Sequence, residues 1–236
     1  MARMKISTSI EELTTKLQAA YVVWRASRIV PINKLTLWHL VFEPAKYTRF
    51  VEGFALLPLP EHLHVGRRRL TIPAGLEDFA GNLTYGQKLY LMTEEPFDTG
   101  IIMRYVAGYF YSEYTGKPWS ETGALQFSRK ILYSQLKDLY PVAIHLVNLM
   151  GELVDREKTL LHRAPTADER AAGVENLNRF SELTAMLFLM DSFRATEEQV
   201  LAKPYEDCLV RFMLAKEQNA YAQRLIEVQR RNAPKP

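Results

Sequence analysis

The stretch YEDCLVRFMLAKEQNAYAQRLIEVQRR, Tyr205–Arg231, decides how this chain is read. It opens after Pro204, which resets the chain, and it reads as one long helix. Tyr205, Leu209, Phe212 and Met213 form one apolar face. The pattern is interrupted at Lys216-Glu217-Gln218-Asn219. Tyr221, Leu225 and Val228 then form a second stripe, displaced by well over ~90° at ~100° per residue. A single straight helix on one core has no reason to rotate its apolar face. Either the helix kinks, or the second stripe meets a different surface. Tyr221, Leu225 and Val228 are therefore the candidate interface, for a partner protein or a second copy. The alternative is packing against the N-terminal half of the same chain.

Working back toward the N-terminus, the same helical text continues. Thr196 and Gln199 fit a capping box ahead of a short helix, and Thr166 with Glu169 fits another. The second box opens a predicted long helix to Phe193, with a soft point at Gly173. Its apolar stripe is Leu177, Phe180, Leu183, Leu187 and Met190, and the run Met186–Met190 predicts a turn buried on nearly all sides. Earlier, Pro141 predicts the start of a helix to His162, where its missing N–H is harmless. Ser120 or Thr122 caps a predicted helix to Leu139, and Gly116-Lys117-Pro118 ends an aromatic helix over Ile101–Tyr114. Thr84–Met92 reads as a short helix. Glu61–Pro73 is the one β candidate, a hairpin turning at Gly66-Arg67. Leu35–Phe42 is apolar enough to be buried, and Pro44 leads into Tyr47, Phe50, Val51 and Phe54. Ser9 and Glu12 cap a first helix that Pro31 ends. The fold class is mainly α, a multi-helix protein with a small hairpin near residues 61–73 and long C-terminal helices. A polar boundary near Arg163–Thr166 divides a 1–163 helical domain from a 164–236 long-helix region. No internal repeat is visible.

Composition narrows the function classes. At 47% hydrophobic and 24% charged residues, the chain is of ordinary globular type. With 30 basic and 27 acidic residues, the net charge of +3 lacks the field of a dedicated nucleic-acid binder, although local patches remain. The lone cysteine, Cys208, cannot close an intramolecular disulfide. No run approaches the ~18–20 apolar residues of a membrane helix, and Met1–Ile10 lacks the apolar core of a signal peptide. The expectation is a soluble cytoplasmic protein that does not engage a membrane. If phage-encoded, its place would be the host cytoplasm or the virion.

Several clusters are candidates for chemistry. Arg67-Arg68-Arg69 on a turn could clamp phosphate or acidic side chains, since each guanidinium is a planar fork of donors; otherwise it is a solvated loop. With nearby aromatics (Tyr105, Tyr109, Phe110, Tyr111 and Tyr114) able to stack bases, it defines a nucleic-acid alternative. His62 and His64 share one face of a strand, as metal ligands can, but a third ligand would have to come from His39, Glu61 or Asp78 without diagnostic spacing. His39 with Glu43, and His145 in its apolar helix, complete an enzymatic alternative with a dispersed histidine site. Asp207 and Glu206 beside Cys208 disfavour a thiolate. There is no Gly-rich phosphate loop, GxSxG, HExxH or CxxC, so no cofactor, metal or catalytic residue is assigned.

Two segments resemble a known family. They are Leu83-Thr84-Tyr85-Gly86-Gln87-Lys88-Leu89, leading into the aromatic helix, and Lys203-Pro204-Tyr205-Glu206-Asp207-Cys208-Leu209 through Asn219-Ala220-Tyr221. The second is similar to the "proline, aromatic, acidic, then helix" C-terminal segment of bacteriophage tail-assembly chaperones and related morphogenesis proteins. The resemblance covers about a quarter of the chain. It implies a small helical, non-enzymatic protein that loads or coats the tape-measure protein, and it brings no catalytic residues with it.

Overall fold

The computed structural model describes residues 35–42, 57–92, 98–162 and 180–232, with isolated positions 54, 170, 171, 173 and 176. The predicted first helix from Ser9, its stop at Pro31, the segment from Pro44 to Val51, and the capping box Thr166–Glu169 lie outside the described residues.

The protein is mainly α with one two-stranded sheet. In chain order the elements are α1 (Leu37–Phe42), β1 (His62–Val65), β2 (Arg68–Thr71), α2 (Leu76–Gly81), α3 (Tyr85–Leu91), α4 (Thr99–Thr115), α5 (Glu121–Ile131), α6 (Leu136–Leu161), α7 (Ser181–Phe193), α8 (Glu197–Leu201) and α9 (Tyr205–Asn232). They fall into two compact units. One takes in the described residues up to Gly75 together with Tyr90–Met150; the other takes in Leu76–Leu89 and the described residues from Gly151 onward. These divisions do not coincide with a single boundary near Arg163–Thr166.

In the first unit the aromatic helix α4 is central and packs against α1, β2 and α5. Asp98 accepts from the Ile101 N–H at 2.9 Å and caps its start. Gly116 ends it in the left-handed region, φ 70°, with its N–H donating to the Ser112 carbonyl. Of the two cap candidates for α5, Ser120 holds the position and accepts from Gly123 N–H at 3.2 Å. The hairpin forms where predicted, antiparallel, pairing His62 with Thr71, Leu63 with Leu70, His64 with Arg69 and Val65 with Arg68. Gly66, at φ 62°, supplies the positive φ that the tight turn needs. Leu63, Val65 and Leu70 are buried.

The second unit has a smaller core. Tyr85, Leu189, Val200 and Cys208 are buried together, flanked by Met186, Phe188, Met190, Phe193 and Phe212. Phe212 of α9 stacks on Phe188 of α7 with ring centroids 5.5 Å apart. The predicted capping box at Thr196 is present in both directions, 3.0 Å and 3.4 Å.

Three expectations, two about helix limits and one about burial, are corrected. The break between α5 and α6 falls at residues 132–135 and not at Leu139, and Pro141 lies inside α6. The cause is long-range. Ser134 N–H closes a tight turn on Ile131 O at 2.8 Å, and Gln135 then pairs with Thr36 in an isolated antiparallel bridge. Secondly, the long helix predicted to reach Phe193 is interrupted at Gly173, which turns at φ 80°. Thirdly, the run Met186–Met190 is not buried all round: Leu189 is fully buried, while Leu187 is exposed along with Leu183.

The units repeat one device, although no repeat is visible in the sequence. In the first, Leu136 N–H donates to Leu35 O (2.8 Å) and Leu37 N–H to Ser134 O (3.3 Å), around the Thr36–Gln135 bridge. In the second, Tyr205 N–H donates to Leu83 O (2.9 Å) and Tyr85 N–H to Lys203 O (2.8 Å), around a Thr84–Pro204 bridge. Each bridge joins the starts of two helices, α1 with α6 and α3 with α9. Each is entered by the same tight turn, Ser134 N–H to Ile131 O and Lys203 N–H to Val200 O (3.0 Å). The short helix in each case is closed by a threonine and a residue three further on. Thr36 N–H donates to His39 Nδ1 at 3.2 Å, and Thr84 N–H to Gln87 Oε1 at 2.9 Å.

Candidate functional site

α9 is a single helix from Tyr205 to Asn232 with two opposite faces. Its inner face carries Tyr205, Cys208, Leu209 and the half-buried Phe212. One turn further on, on the same face, stands Lys216. Its Nζ donates to the Leu160 carbonyl at 2.7 Å and lies 3.5 Å from that of His162. A cation there satisfies carbonyls that the end of α6 leaves without helical partners, and it complements the negative pole of that helix. The interruption at Lys216 is thus a capping contact. From Glu217 onward every residue of α9 is exposed except the half-buried Ala220.

The outer face is apolar over most of its length. Val210, Leu214, Tyr221, Leu225 and Val228 are between 43% and 62% exposed. At ~100° per residue they cluster roughly 150–180° from the inner face. The predicted stripe Tyr221, Leu225 and Val228 therefore begins about three turns earlier than its sequence pattern indicates, at Val210 and Leu214. These two were masked in the sequence by the buried Leu209 and the half-buried Phe212 beside them. The helix does not rotate one face; it carries two. Phe180, Leu183 and Leu187 leave a second, shorter apolar row exposed at and along α7.

The base of α9 is held by ions. Arg156 of α6 bonds Glu206 and lies 3.4 Å from Glu77, while Lys88 pairs with Glu157 at 2.9 Å. Burial pushes the Cys208 thiol up to about 11, with Asp207 adding to the shift and Lys203 opposing it. Burial and the raised value both disfavour the thiolate. Burial raises the Tyr85 and Tyr205 phenols as well, Tyr85 with a contribution from the nearby thiol and Tyr205 from Glu157.

The three arginines of the hairpin turn are divided by the strand geometry. Arg68 bonds the Tyr114 carbonyl and lies over the Tyr114 ring, whose centroid is also 5.0 Å from Lys130 Nζ. Arg67 and Arg69 are exposed. Arg68, itself exposed, thus ties the hairpin to the end of α4. The aromatics expected nearby are interior: Tyr105, Tyr109, Phe110 and Tyr111 are buried, and Tyr114 stacks on Phe127. They present no row of faces to bases.

The histidines are dispersed. His62 and His64 share a strand face, as read, with Leu63 buried between them. Among the described residues no three His, Cys, Asp or Glu side chains are grouped to hold a metal. His39 Nδ1 accepts from Thr36 N–H, and its sequence companion Glu43 lies outside the described residues. His145 Nε2 meets the Pro73 carbonyl at 2.8 Å, so that nitrogen carries the proton and ties α6 to the chain after the hairpin. Among the described residues no helix is long and apolar enough to cross a membrane.

The two segments that resemble tail-assembly chaperones, Leu83–Leu89 and Lys203–Leu209, are joined by the Thr84–Pro204 bridge. No family model matches the chain, and neither a curated protein nor a solved structure matches it.

Proposed function

We propose that this is a non-enzymatic assembly or adaptor protein that works by protein–protein contact through the outer face of α9, in phage particle (tail) morphogenesis. One observation carries the contact reading: the apolar stripe Val210, Leu214, Tyr221, Leu225 and Val228 stands exposed along a helix whose last four turns have almost no packing around them. In proteins most helical stability comes from packing of an apolar face. The chemistry of the stripe suits a helical partner, because its side chains recur at steps of four, seven, four and three and so stay on one helix face. The phage setting rests on the resemblance of the two bridged segments.

The test is light scattering on the purified chain, alone and mixed with the products of its flanking genes, for wild type and Leu225→Asp. The expected result is a stoichiometric complex that Leu225→Asp abolishes while circular dichroism stays unchanged. A chain that remains monomeric in every mixture overturns the contact reading. Flanking genes for metabolic enzymes, in place of tail or capsid components, overturn the phage setting.

A further inference from the structure

We infer that the occupant of the α9 outer face is α9 of a second copy of this chain, running antiparallel. The inference rests on the contact reading above and names its partner.

The spacing comes first. Leu214, Gln218, Tyr221, Leu225 and Val228 follow one another at steps of four, three, four and three, the 3.5-residue period of a two-helix seam. Extended backward and forward by the same steps, the seam takes in Asp207, Arg211 and Asn232. An antiparallel pair places one seam class against the other. Centred between Asn219 and Ala220, it sets Leu214 against Leu225 of the second copy, Gln218 against Tyr221, Asp207 against Asn232, and Arg211, whose guanidinium lies over the Phe193 ring, against Val228. Each layer occurs twice by symmetry. Two apolar layers flank a central pair of Gln amides and Tyr hydroxyls able to bond each other. The overlap is about 26 residues, or ~39 Å.

Charge decides the direction. α9 is acidic in its first turn, Glu206 and Asp207, and basic in its last, Arg230 and Arg231. Glu206 is taken by Arg156, but Asp207 is exposed. Antiparallel pairing brings Asp207 beside Arg231 of the second copy, and Glu217 beside Arg224 of the second copy, each pair twice. Parallel pairing brings Asp207 against Asp207. It gives Glu217 and Arg224 uncharged neighbours, Ala222 and Gln229. The opposed helix dipoles favour the same direction. A partner of other sequence would have to reproduce this alternation of charge; a second copy supplies it without further assumption.

The experiment uses the full chain with Leu214→Cys and Leu225→Cys variants, one of them tagged so that chains differ in mass. The native Cys208 is fully buried and stays in place. Wild type is expected to be a dimer by light scattering. Under mild oxidation a disulfide should form between the two variants when mixed, and neither variant should link to itself. Glu217→Arg should weaken the dimer roughly tenfold, and the swap Glu217→Arg with Arg224→Glu should restore it. Self-linking of each variant would mean a parallel pair and overturns the inference. So does a dimer indifferent to Leu225→Asp. A chain monomeric alone that forms a Leu225-dependent complex with a neighbouring gene product overturns self-pairing and leaves the contact reading standing. Monomers in every mixture remove both.

Discussion

Gly108 sits midway along α4 where a side chain has no room. A Cβ there would come within 2.8 Å of Leu91 Cδ2 and Tyr90 Cδ1. Two effects oppose each other in Gly108→Ala. Helix propensity favours alanine by about 1 kcal/mol, while forcing a methyl into a packed site costs about 1–3 kcal/mol. Tyr90 is held on its other side, because Arg104 donates to its carbonyl at 2.6 Å and lies over its ring. It cannot swing away freely, so crowding wins. Gly108→Ala is expected to lower the urea midpoint; an unchanged or raised midpoint would show that Tyr90 yields. A second residue-scale prediction concerns Cys208. The native thiol should be inert to a disulfide reagent at neutral pH and react only as the chain unfolds. Its ordinary value of 9.0 applies to the unfolded chain, and about 11 to the folded one. The folded form thus holds its proton longer. The associated stability is fully present below pH 9 and is lost as pH rises to 11, about 3 kcal/mol at most. Denaturant midpoints at rising pH check the sign, and Cys208→Ala should remove that component of the slope, leaving what the Tyr85 and Tyr205 phenols add.

At the scale of elements, what was legible in the sequence was local. The caps at Ser120 and Thr196, the glycine turn of the hairpin, and the stop at Gly116 each depend on residues within four positions of one another. The break at residues 132–135 depends on Thr36, about a hundred positions away, and no nearby residue announces it. The repeated bridge is hidden for the same reason. Its two copies share Leu-Thr at Leu35–Thr36 and Leu83–Thr84, but Gln135 stands where Pro204 does, and His39 where Gln87 does. Backbone pairing fixes the device, and side chains need only cap it. Lys216 likewise looked like a gap in an apolar pattern and proves to be a cap on a different helix. Lys216→Met keeps most of the stem's apolar contact and removes the donor. The expected outcome is faster amide exchange in the last turn of α6 with α9 still helical; unchanged exchange there would show that solvent already satisfies those carbonyls.

For the molecule as a whole, the second unit leaves rows of large apolar side chains exposed beside its core. Phe79, Leu83, Leu153, Leu189, Val200, Tyr205 and Cys208 are buried in it, while Phe180, Leu183 and Leu187 at α7 and the outer face of α9 are exposed. A unit so divided gains stability by association, and association follows mass action. If α9 pairs with a second copy, the melting of residues 205–232 depends on protein concentration, because dilution favours the unpaired helix. Each tenfold rise in concentration adds about 1.4 kcal/mol per mole of dimer. The first unit, built around the buried α4, supplies an internal control whose exchange rates do not follow concentration. Hydrogen exchange on one sample at three dilutions separates these behaviours. Protection of residues 217–232 that climbs with concentration, and vanishes in Leu225→Asp at all three, is the expected pattern. Protection equally low at every dilution would place the stabilising surface on a different protein.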